Sequence, residues 1–152
     1  MDIYYHEVAP IYQDVGYVYG CRKLDDFLRG LTGSNPVPEG NGLRWGGTGH
    51  KFNGEIMFYR KHERIPGDNA VIGFNITVYN RNEGFRKKVM DIIKEAVKNT
   101  GLKPLQDRDD GNPYTTWAEW PAADAPSDEV IQNELIPEIL RLLQEARDDG
   151  GI

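Results

Sequence analysis

Between Lys51 and Asn80 apolar and polar positions alternate with period two. Ile72, Phe74, Ile76 and Val78 take turns with Gly73, Asn75, Thr77 and Tyr79, and Ile56 and Phe58 take turns with Met57, Tyr59 and Lys61. Successive strand side chains point to opposite faces, so each run predicts a strand with one buried side. Asn53-Gly54 lies between "HKF" and "EIMFY" and predicts a type I′ hairpin turn, which needs positive φ at both central positions. Pro66-Gly67 suits the centre of a type II turn. The expectation is an antiparallel meander of three strands, the first short and ending at Phe52.

Elsewhere the period is that of a helix. Leu24, Phe27, Leu28 and Leu31 fall on one face, and so do Phe85, Val89, Ile92, Ile93, Ala96 and Val97, opposite Lys87, Asp91, Lys94 and Lys98. Asn82 and Gly101 suit the start and end of the second helix. "LKPLQ" and "YTTWAEW" predict a second hairpin joined by "DRDDGNP", with Trp117 and Trp120 on opposite faces by parity. Ser127 can cap a last helix carrying Ile131, Leu135, Ile139, Leu142 and Leu143, which Pro137 should kink or split. "DIYYHEV" reads as a short edge strand. The predicted class is α+β: a mostly antiparallel sheet, made of a three-strand meander and a second hairpin, packed against helices in the order α-β-β-β-α-β-β-α. Residues 1–152 are read as one domain, a length sufficient for a sizeable core.

Charge changes the picture more than composition does. The net charge is −6, but residues 1–43 carry −3, residues 44–98 carry +5 and residues 99–152 carry −8. An acidic total argues against a dedicated duplex binder, while the basic middle keeps nucleic acid as an alternative partner. No apolar run reaches the roughly eighteen residues of a membrane helix, and "MDIYYHEVAP" lacks the marks of a signal peptide, so the expected address is the cytoplasm. Cys21 is the only cysteine and is expected to be a small buried residue.

Specific chemical motifs fail one by one. "GGTGHKF" is not a phosphate loop, because His50 separates Gly49 from Lys51 and Phe52 stands where a hydroxyl is needed. His6, His50 and His62 form no metal-ligand spacing, and "DRDDG" has its glycine one place early for a calcium loop. No G-x-S-x-G occurs. No cofactor, metal site or catalytic residue is therefore called. A hydrolase acting on nucleic acid or nucleotides would have to draw on Glu55, Lys61, His50 or His62, groups not expected to converge.

The surface singled out instead is the sheet face turned away from the helices. Parity places Phe52, Met57, Tyr59 and Tyr79 there, with His50 and Lys61 at the margins. Exposed, such a face would suit a protein interface, or base stacking in a single strand of nucleic acid. The reading is a non-catalytic macromolecule-binding protein, of inhibitor, immunity-type, chaperone-like or accessory kind. Its expected partner is a protein, nucleic acid is the alternative, no membrane is involved, and self-association is compatible with the sequence.

Overall fold

The structure, a computed structural model, describes residues 3–6, 16–32, 55–61, 73–79, 83–108, 111 and 115–152. Six strands pair within them: β1 (Ile3–Tyr5), β2 (Gly16–Cys21), β3 (Glu55–Lys61), β4 (Gly73–Tyr79), β5 (Gln106–Arg108) and β6 (Thr115–Glu119). They form one antiparallel sheet in the order β1-β2-β3-β4-β6-β5. Helix α1 (Arg22–Thr32) connects β2 to β3, and α2 (Glu83–Asn99) follows β4. The α+β class is as the periodicities predict.

The alternation in β3 and β4 does what parity requires. Ile56 and Phe58 of β3 and Phe74, Ile76 and Val78 of β4 are fully buried, in one core with Leu24 and Leu28 of α1 and Val89, Ile93, Ala96 and Val97 of α2. Each such side chain contributes about 1.5–3 kcal/mol of apolar burial. Helix α2 closes where Gly101 takes φ 72°, with Gly101 N–H donating to the Lys98 carbonyl and Leu102 N–H to that of Val97. Only glycine enters that backbone region at little cost. Asn82, Asn53-Gly54, Pro66-Gly67 and Ile72 lie outside the described residues.

The order of elements departs from expectation at the N-terminus. Two strands precede α1, and β2, not the segment before Asn53, is β3's second neighbour. Met57 pairs with Gly20 of β2 on one side and with Thr77 of β4 on the other. "GYVYGC" forms this strand because Tyr and Val favour extended backbone. Its glycines are sites of close approach: a Cβ on Gly16 would lie 2.0 Å from the Arg60 carbonyl oxygen, and one on Gly20 2.6 Å from the Tyr4 ring. The second hairpin is shifted too, since β5 starts at Gln106 and takes in residues read as turn.

Ser127 caps the C-terminal helical run, accepting from Val130 N–H at 3.2 Å. The run comprises α3 (Asp128–Val130), a π-helical turn (Ile131–Leu135) and α4 (Ile136–Asp148). Pro137 therefore splits the helix as expected, and the form of the split is physical. Proline has no N–H and its ring crowds the carbonyl four residues back, which the wider turn just before it accommodates. Ser127→Ala should cost about 1 kcal/mol, read as a lower urea midpoint at unchanged slope.

Asp128 ties this run to the sheet. It accepts from Tyr17 Oη–H, from Tyr19 Oη–H at 3.4 Å and from Arg60 Nε–H at 3.4 Å, while Arg60 Nη2 donates to the Pro126 carbonyl at 2.9 Å. Burial and the bond to Asp128 push the Tyr17 phenol up to about 12. The Arg60 guanidinium also lies 3.6 Å from the centroid of Phe74, a cation–π contact.

Candidate functional site

The face away from the helices holds a second apolar cluster, Val18, Met57 and Tyr59, with Trp117 packed against it. Met57 is fully buried and Tyr59 is 2% exposed, which corrects the reading of both as exposed contact residues. Neighbours on the same face contribute to this burial. Val18 pairs with Tyr59 across the β2–β3 ladder, and the Tyr59 ring stacks on Trp117 at 5.3 Å, so both sides of the ring's strand supply apolar neighbours. Of the other predicted contact residues, His50 and Phe52 lie outside the described residues. Tyr79 is placed in β4 opposite Glu55, and its side chain is not among those described.

Lys61 is half-buried within a polar network that crosses four strands. With its amide oriented to satisfy its neighbours, Asn75 accepts from Lys61 Nζ at 2.8 Å and donates to Glu119 Oε2. Arg108 Nη1 lies 3.9 Å from the same Glu119 oxygen. Burial, then the nearby Arg108 charge, holds the Lys61 ammonium below the usual lysine range, while Glu119 opposes the shift.

Glu55 meets titratable partners outside the group named from the sequence. Arg29 Nη2 donates to Glu55 Oε1, and the Glu55 charge is felt by Asp25 of α1. Asp25 Oδ1 accepts from Ile56 N–H at 3.3 Å, and its Oδ2 accepts from Tyr4 Oη–H. The junction arises because α1 packs beside the start of β3. Lys61 is no part of it: six strand positions separate it from Glu55, about 20 Å. His62 lies outside the described residues.

An open concavity lies elsewhere. A cleft of about 550 Å³ lies between α2 and the β5–β6 edge, lined by Glu83, Arg86, Lys87, Met90, Asp91 and Lys94 on the helix side. Asp107, Arg108, Thr115, Thr116 and Trp117 form its other wall. Arg86 is 2% exposed and donates from Nε to Thr116 Oγ1 at 3.1 Å, while Lys94 and Asp107 pair across the cleft at 2.5 Å. The Arg108 guanidinium sits over the Trp117 ring at 5.6 Å. From the sequence Lys87, Asp91 and Lys94 are the polar face of a helix, with Lys87 and Lys94 part of the basic middle, and Arg86, Arg108 and Trp117 are not marked as site residues. The signal was available in part: Glu83, Lys87, Met90, Asp91 and Lys94 share one helical face, and the parity of Trp117 sets it off the main core.

Among the described residues no three His, Cys, Asp or Glu side chains converge as a ligand set, and no helix is long and apolar enough to cross a membrane. Compared with family models, with curated proteins and with solved structures, the sequence matches none.

Proposed function

We propose that this chain acts by binding another protein, without catalysis, and that the cleft between α2 and the β5–β6 edge is its contact site. The observation that supports the reading is the lining itself. Trp117 and Arg108, which reach the cleft surface, are residue types favoured where proteins meet, and the buried Met90 and Arg86 form the floor beneath them. The charges there alternate in sign, with Glu83, Asp91 and Asp107 among Arg86, Lys87, Lys94 and Arg108. A phosphate backbone calls for cations in excess, whereas a protein segment bearing both signs can complement such a wall. Base stacking is also disfavoured, because Trp117 already has Tyr59 stacked on it and Arg108 over it.

Site-specific photocrosslinking in the native host tests this. A photoreactive residue in place of Lys87, at the cleft, should give a discrete protein adduct that is absent when the same residue replaces Glu129, which is exposed on α3. The yield at Lys87 should drop at least about tenfold when Arg108→Glu is added, the loss of one anchor contact. Adducts to nucleic acid, or equal adducts at both positions, would overturn the proposal.

A further inference from the structure

Two carboxyl groups meet at the junction of β1, α1 and β3, and their oxygens are nearly all accounted for. Both oxygens of Asp25 accept hydrogen bonds, from Ile56 N–H and Tyr4 Oη–H, and Glu55 Oε1 accepts from Arg29. Glu55 Oε2 is buried and has no hydrogen-bond partner among the described residues. Asp25 is 1% exposed and Glu55 2%. Among the described residues Arg29 is the one cation bonded to the pair; it also lies 3.8 Å from Asp26, and Arg22 sits over the Tyr4 ring at 5.2 Å. His6 stacks edge-on against Tyr4 at 4.9 Å.

Two ionised carboxylates against one guanidinium leave a net buried negative charge, and an ionised oxygen without a donor costs several kcal/mol in such a setting. A metal ion does not resolve this, since a hard cation needs about six oxygen ligands and one oxygen is open. A proton does. We propose that Asp25 and Glu55 hold one proton between them in the folded protein at neutral pH, and that this proton clamps β1 and α1 onto the start of β3. An uncharged carboxyl at the open oxygen removes the excess charge and leaves the Arg29 pair in place.

The electrostatics agree with the geometry. Burial, then the Glu55 charge, pushes Asp25 up to about 8. Burial pushes Glu55 up to about 7 against the pull of Arg29. Carboxyls raised above their unfolded values give stability that is fully present below about pH 4 and is lost as pH rises through about 7 and 8. The clamp therefore weakens on the alkaline side, opposite to a salt-bridged carboxylate.

Carboxyl-carbon NMR titration of the intact chain reads the proton directly. At least one of the Asp25 and Glu55 signals should titrate with a midpoint above about 6, and both midpoints lying near 4 would overturn the proposal. Thermal unfolding supplies a second measurement. Asp25→Asn keeps an acceptor for Ile56 N–H but cannot ionise, so its Tm should exceed that of the parent at pH 8.5, with the difference shrinking or reversing at pH 5. Parallel Tm curves for the two proteins across that range would also overturn it, and if the variant does not fold the titration of the parent still decides.

Discussion

Trp120→Ala is expected to lower stability by about 4 kcal/mol, the largest single loss available in this fold. Trp120 is fully buried, meets Phe74 edge-on at 5.9 Å and donates from Nε1 to the Lys103 carbonyl at 2.6 Å. Truncation leaves a cavity beside Phe74, and it removes the Lys103 carbonyl's donor. With a urea slope of about 2 kcal/mol/M the midpoint should fall by about 2 M. Trp120→Phe keeps most of the volume and loses the N–H, so its cost should be clearly smaller. Equal losses in the two variants would show that the hydrogen bond, not the packed ring, holds this corner.

Tyr59→Ala should cost about 3 kcal/mol, a value in the range of buried aromatic truncations. This is a stability effect on the face where the sequence alone suggests a contact residue. The ring lies between Val18's row and Trp117, so its loss undermines Trp117 and through it the wall of the α2 cleft. A circular-dichroism melt should show the drop in the isolated chain. A normal melt with impaired partner binding would instead restore Tyr59 to the contact surface.

These two residues mark how far the sequence reaches. Strand parity is a local property, so the burial of Ile56, Phe58, Phe74, Ile76 and Val78 was readable, as was the assignment of Trp117 and Trp120 to opposite faces. The helical stripe of α2 and the disruption at Pro137 were readable for the same reason. Neighbour choice is not local. The pairing of β3 with β2 depends on contacts such as Tyr19↔Phe58, 39 residues apart, which no local pattern announces. The cleft was hidden likewise, because Arg86, Arg108 and Trp117 come from three elements that only the sheet order brings together. Glu55 could be named from the sequence as a candidate acid but its neighbour Asp25 could not, since nothing in their spacing announces that α1 docks over the start of β3.

The outermost strands carry a last consequence, for the protein's behaviour when crowded. β1 and β5 are three residues each, Tyr5 is the exposed residue of one, and the other, Gln106–Arg108, is exposed throughout and ends in opposite charges. A six-stranded sheet with long bare borders would invite a second chain to extend it, and from there to aggregate. Borders this short give an incoming strand few backbone groups to copy, and at β5 it would have to bury Asp107 and Arg108. Among the described residues neither border strand is thus suited to recruit by strand addition, which directs recognition to side-chain surfaces.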